Sequence, residues 1–165
     1  MAVNRWADNL KVFFWDLSRP EQEPKTFDER GRFSGISISP DGRWVAVCSQ
    51  AGPVVLYDAA TMERRRVLHG AMQGVHSVTF SPDSRSLATG ADGRQAAMLW
   101  HMETGQELLT LRGMGSMLRD IAFAEAGNTL LLGTGGPGSW QMWRAPSWEV
   151  INAAEAKEKA DNKQP

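Results

Sequence analysis

The sequence predicts an all-β fold: a β-propeller segment of about three and a half four-stranded antiparallel blades, with a short C-terminal helix. Three observations predict it. An aromatic residue closing a short apolar run recurs at Trp15, Tyr57, Trp100 and Trp143, at spacings of 42, 43 and 43 residues. A second marker keeps the same register: Ile38 precedes Ser39-Pro40-Asp41-Gly42, Phe80 precedes Ser81-Pro82-Asp83-Ser84, and Phe123 precedes Ala124-Glu125-Ala126-Gly127. The 165 residues also include 16 glycines, 8 prolines and seven Trp against one Tyr, a composition rich in turns. Short strands punctuated by turns mean a sandwich, barrel or propeller, and a fixed period of about 42 residues selects the propeller.

The elements follow in order. Met1-Ala2-Val3-Asn4 aligns with the end of a second strand, Asp8-Asn9 with a turn and Lys11–Trp15 with a third strand, so residues 1–27 read as half a blade. Blades follow at about 28–69, 70–112 and 113–148. In the second complete unit, Val75–Phe80 is a first strand, and Pro82-Asp83 suits a type I turn. Ser86–Thr89 is the second strand, Gly90-Ala91-Asp92-Gly93 a turn, Ala96–Trp100 the third strand and Glu107–Leu111 the fourth. Along the first strands, alternation puts Ile36/Ile38, Val78/Phe80 and Ile121/Phe123 on one face. The smaller Gly35/Ser37, Ser77/Thr79 and Asp120/Ala122 lie on the other. A bulky face on one blade fills the space left by the small face of its neighbour.

The string of an apolar pair, Ser-Pro-Asp-Gly, a short strand, a Gly/Asp turn and an apolar-x-Trp-Asp close resembles the WD-repeat family over residues 1–148. That resemblance implies a β-propeller acting as a protein-binding scaffold. It also implies a Gly-His pair ahead of each first strand, but those places hold Asp28-Glu29, Gly70-Ala71 and Gly113-Met114. The His-to-Asp-to-Trp hydrogen-bond network of the family is therefore incomplete: Asp92 and Trp100 remain in one blade, Asp8 and Trp15 in the first fragment. Stability is expected to rest mostly on apolar packing. Propellers have four to eight blades, so three and a half implies either the C-terminal part of a larger propeller or a half-ring completed by a second copy.

Residues 149–165 form the tail. Ser147 suits an N-cap, Ala153–Ala160 is rich in helix formers, and Glu155 precedes Lys159 at helical spacing. The rival reading makes Ser147–Ile151 a fourth strand. The run Trp143-Arg144-Ala145-Pro146-Ser147-Trp148-Glu149-Val150-Ile151 resembles the C-terminal end of bacterial WD-repeat proteins. Some of these carry a Ser/Thr protein kinase domain, and the resemblance implies a regulatory propeller as the alternative role.

Composition excludes several classes. With 18 basic and 19 acidic residues the net charge is −1, which argues against a nucleic-acid binder. No apolar run approaches the ~20 residues of a membrane span, and the start lacks the features of a signal peptide. A single cysteine, Cys48, rules out a disulfide framework. A cytoplasmic setting with no membrane partner follows as the expectation.

The residue types that carry chemistry do not converge. Gly133-Thr134-Gly135-Gly136-Pro137-Gly138 fits a dinucleotide-binding string, but that site needs a helix after it, and Ser139–Trp143 reads as a strand. His69, His76 and His101 occupy different places in their units, against convergence on a metal. An enzyme using the propeller channel is the least favoured role. Arg64-Arg65-Arg66 alternate direction within a strand and so make no one-sided patch. No catalytic residue, cofactor or metal is expected. A protein or peptide partner is expected on the rim where first strands begin and second-to-third-strand turns crowd. Its candidate residues are Arg32, Phe33, Met72, Gln73, His76, Arg94, Gln95, Met117 and Arg119; Phe33 and the methionines have packing at the loop base as their plainer role.

Overall fold

The computed structural model describes residues 2–3, 9–30, 33–50, 53–70, 74–91, 95–112, 118–124, 126–134 and 139–145. These make four antiparallel sheets in chain order. Sheet 1 holds β1 (Ala2–Val3), β2 (Asn9–Phe14) and β3 (Lys25–Arg30). Sheet 2 holds β4 (Phe33–Ile38), β5 (Trp44–Ser49), β6 (Val54–Asp58) and β7 (Arg64–Leu68). Sheet 3 holds β8 (Val75–Phe80), β9 (Ser86–Ala91), β10 (Gln95–His101) and β11 (Glu107–Arg112). Sheet 4 holds β12 (Leu118–Phe123), β13 (Thr129–Thr134) and β14 (Trp140–Arg144). Within each sheet, strands pair with their neighbours in sequence, the up-and-down order of a propeller blade.

Two boundaries differ from the sequence reading. Gly90 and Ala91 are the end of β9 rather than a turn, because Ala91 pairs with Val75 and Gly90 with Ser77 and Ala97. β3 runs to Arg30, so sheet 1 takes residues 28–30. The tail, with its helix and its rival fourth strand, lies outside the described residues.

Alternation along the strands gives each sheet two apolar faces, and neighbouring sheets share them. Val12 and Phe14 of sheet 1 pack on Val45, Val47, Val55 and Tyr57 of sheet 2. The other face of sheet 2, with Ala46, Cys48, Val54 and Leu56, meets Val78, Phe80, Leu87, Met98 and Trp100 of sheet 3. Ala88 and Ala97 on the far side of sheet 3 meet Leu118, Ile121, Leu130 and Leu132 of sheet 4. Leu56, Leu87, Leu118 and Leu132 are all but fully buried, each contributing about 1.5–3 kcal/mol by leaving water.

Small residues let the sheets nest. A Cβ on Gly35 of β4 would lie 3.3 Å from the His76 carbonyl oxygen and 3.4 Å from the Ser77 Cα of β8. A Cβ on Gly90 would lie 2.3 Å from Leu118 Cδ2. The first strands β4, β8 and β12 thus run side by side, β8 touching both of the others. The bulky face of each points to the preceding sheet, as the alternation requires.

The turns repeat as faithfully as the strands. Ser39 N donates to Trp44 O at 2.9 Å, Ser81 N to Ser86 O at 2.9 Å and Ala124 N to Thr129 O at 2.8 Å. The matching positions Gly42, Ser84 and Gly127 have φ of 70°, 60° and 72°, a left-handed conformation easy for glycine and costly for other residues. Ala59 N, Met102 N and Ala145 N each donate back to this turn, at Arg43 O, Arg85 O and Asn128 O.

Candidate functional site

The first strands share a defect at their starting ends. Pairing shifts register between Phe33 and Gly35, between Val75 and Ser77, and between Leu118 and Asp120. The residue left over in each case is Ser34, His76 or Arg119. A bulge of this kind re-aims one side chain and is common beside functional sites. Because β4, β8 and β12 are adjacent, the three bulged residues form a row at one end of the sheet array. Ser34 Oγ donates to the Val75 carbonyl oxygen, tying β4 to β8. His76 is half-buried and Arg119 is exposed.

Of the residues expected on this rim, the row contains His76 and Arg119. Phe33 starts β4 but packs into the core between sheets 1 and 2, the plainer of its two readings. Gln95 opens β10 at another register shift. Arg32, Met72, Gln73, Arg94 and Met117 lie outside the described residues. Ser34 was missed by the sequence reading, although its spacing to His76 and Arg119 keeps the repeat period.

The opposite rim, formed by the Ser-Pro-Asp turns, carries two grooves. One, of about 540 Å³, lies between sheets 1 and 2 and is lined by Trp15, Leu17, Arg19, Lys25 and Gly42. The second, of about 490 Å³, lies between sheets 2 and 3 and is lined by Arg43, Arg66, Asp83, Arg85 and His101. Its walls are set by the turns. Asp41 Oδ1 accepts from Ser39 Oγ at 2.5 Å and from Arg43 N at 3.0 Å, and these bonds hold the Asp41 carboxyl below its ordinary value. Ser81 and Arg85 N do the same for Asp83. Asp41 N donates to Ser84 Oγ at 3.0 Å, joining one turn to the next. On the floor, the Arg66 guanidinium donates to the carbonyl oxygens of Met102 and Glu103 at 3.1–3.2 Å, clamping sheet 2 to sheet 3. Arg65 faces away to Asp58 and Glu63, as alternation along β7 demands.

Residues 62–94, spanning β7 to β9, match the family model of the WD domain, G-beta repeat. The chain is thus similar to WD-repeat proteins, with one repeat matched at residues 62–94. It is 28% identical, over 74% of its length, to an uncharacterized WD repeat-containing protein of Synechocystis, of which it spans 34%. It is 25% identical, over 84% of its length, to the Protein LST8 homolog of Drosophila melanogaster, of which it spans 46%. Among solved structures, Kuenenia stuttgartiensis hydrazine synthase superposes with a TM-score of 0.71 at 16% identity, over 83% of this chain and 40% of that one. That likeness concerns the fold alone.

In sheet 3 the aromatic marker does two jobs. Trp100 is buried between sheets 2 and 3, and its Nε1 donates to Thr89 Oγ1 at 3.1 Å. The indole hydrogen bond is thus satisfied inside the sheet, where the family's histidine is missing. Cys48 sits in the same core, and burial pushes its thiol up to about 11. Gly133 and Thr134 end β13, and β14 follows, so the glycine string joins two antiparallel strands and opens no helix. Among the described residues, no group of three or more His, Cys, Asp or Glu side chains is placed to hold a metal. Among the same residues, no helix is long and apolar enough to cross a membrane.

Proposed function

We propose that this chain is a non-catalytic scaffold that binds a protein or peptide at the rim where its first strands begin. The row of bulged residues carries this reading: three adjacent strands depart from regular pairing at equivalent places and turn Ser34, His76 and Arg119 toward one end. Bulges re-aim side chains and are over-represented beside functional sites, and this one recurs in three adjacent strands. WD-repeat relatives support a binding role of this general kind. These relatives are about twice as long as this chain, which favours a ring of more than four sheets, supplied by further blades or by a second copy. A buried single thiol suits a reducing, cytoplasmic compartment.

The test is a quantitative pull-down with the wild type and with Arg32→Ala, His76→Ala and Arg119→Ala combined. Loss of a specific partner by tenfold or more, with an unchanged thermal unfolding midpoint, is the expected result. Equal recovery of every partner by both forms removes this rim as the binding site.

A further inference from the structure

The chain is close to neutral, but its charge is divided between the two rims. The described links at the Ser-Pro-Asp rim, 15–24, 39–43, 59–63, 81–85 and 102–106, carry seven acidic residues against Arg19, Arg43 and Arg85. That is an excess of four negative charges in a chain whose net charge is −1. At the other rim, the described link residues Gln50, Pro53, His69, Gly70, Gly74 and Ser139 include no acid. Six-residue strands such as β4 and β8 hold the two rims roughly 17–20 Å apart. The Debye length is about 8 Å at physiological salt, so a partner at one rim responds to that rim and not to the net charge.

Two arginines stand on the acid-poor rim. Arg119 is the bulged residue of β12, Arg112 ends β11, and both are exposed. Among the described residues neither enters an ion pair, whereas Arg19 and Arg65 each pair with carboxylates. Asp120, the acid beside Arg119, is turned to the flat of sheet 4, its Cβ 3.5 Å from where a Gly133 Cβ would stand. In the sequence linking β9 to β10, Asp92 and Arg94 cancel. An exposed guanidinium with no carboxylate of its own can take one from a partner in a two-pronged hydrogen bond without first breaking a pair.

We propose that the partner at this rim presents an acidic peptide segment, rich in Asp or Glu, that lies across the end of sheet 3 from Arg119 to Arg112. The proposal rests on the reading of this rim as the binding surface and adds the chemistry of what binds. Strands β8 and β11 are the two edges of sheet 3, three strand spacings or about 14 Å apart. β12, which carries Arg119, lies against β8 and β9. An extended peptide advances about 3.3 Å per residue and repeats a face every second residue. Acidic side chains about four residues apart on one face therefore reach both guanidiniums, with His76 at the start of β8 along the path. The acidic rim opposite repels the same segment, so the division of charge fixes which rim the partner meets.

The experiment is fluorescence anisotropy on the full chain with a short labelled peptide carrying Glu at alternate positions. Binding at low ionic strength that weakens ~10-fold or more by ~0.2 M salt is expected. Arg112→Glu and Arg119→Glu should each weaken it ~5-fold or more, and together ~20-fold or more, with the thermal unfolding midpoint of the wild type. Arg112→Gln with Arg119→Gln should weaken it in the same direction and takes their place where charge reversal lowers that midpoint. Glu21→Lys with Glu23→Lys makes the opposite net-charge change on the other rim and should leave affinity within ~2-fold. Absence of binding at low salt overturns the proposal. So does a gain from the two lysines as large as the loss from the arginine variants, which would make net charge alone responsible. Equal affinity for single-stranded DNA of the same charge also overturns it, in favour of a general polyanion. If the proposal fails while Arg32→Ala, His76→Ala and Arg119→Ala together still abolish capture of a partner, the rim stands as the binding surface and only the acidic segment falls.

Discussion

Adding one methyl group at Gly90 probes how closely the sheets nest. The new Cβ would lie 2.3 Å from Leu118 Cδ2, more than ~1 Å inside the ~3.5–4.0 Å contact of two carbon atoms. Leu118 is 1% exposed and held between Ala88, Ala97, Ile121 and Leu132, so its side chain has little room to retreat. Overpacking of this kind costs about 1–3 kcal/mol. Alanine recovers about 0.5–1 kcal/mol over glycine through lower chain entropy in the unfolded state. Gly90→Ala is therefore expected to lose about 1–2 kcal/mol. Leu118→Ala should lose about 2–5 kcal/mol by opening a cavity. In the double variant the methyl added at position 90 occupies part of that cavity, so the combined loss should fall short of the sum by about 1 kcal/mol or more. Urea unfolding followed by circular dichroism and Trp fluorescence measures all four corners of the cycle. A neutral Gly90→Ala, or losses that add to within about 0.5 kcal/mol, would refute the socket.

Other outcomes follow from the turns, the clamp and the thiol. Asp41 and Asp83 have lowered carboxyl values in the folded chain, so the stability they contribute is present above the ordinary carboxylate range and lost as pH falls through their folded values. Ser39→Ala with Ser81→Ala should accordingly be less stable than the wild type at pH ~7, the gap narrowing toward pH ~2; a gap independent of pH in denaturant titrations contradicts this. Arg66→Ala should cost about 1–2 kcal/mol through three lost hydrogen bonds. Arg66→Lys should restore less than half of it, because a single ammonium nitrogen lacks the planar, two-nitrogen fork that reaches both carbonyls; full recovery in thermal melts would argue for charge alone. Cys48 in the native chain should react with a thiol reagent at pH ~8 at least ~100-fold more slowly than a free cysteine, because burial pushes the thiol up to about 11; rapid labelling without unfolding would show that this core opens.

The repeat was legible because it is written twice, in the aromatic residues and in the Ser-Pro-Asp turns, and both depend on chemistry that a side chain announces. Proline and aspartate select the turn, and the alternation in β4, β8 and β12 announces two buried faces. The bulges were less legible. Ser34 has an unremarkable side chain, and Arg32 and Phe33 beside it draw more attention, yet Phe33 is spent on the core. Arg66 was read only as part of a charged run, because its partners are backbone carbonyls, which no sequence displays. The extent of β9 was misjudged because glycine signals a turn and a close approach equally well, and only the neighbouring Leu118 decides between them.

The shared cores have a consequence for how such a chain can be altered by recombination. Each hydrophobic interior is made half by one sheet and half by the next. A cassette cut at the sheet boundaries, such as 33–68, would carry two half-interiors into a foreign context and match neither. Cut through the middle of consecutive sheets, it would carry one whole interior with the side chains that shaped each other. The transferable module in this chain is therefore displaced by half a sheet from the visible one.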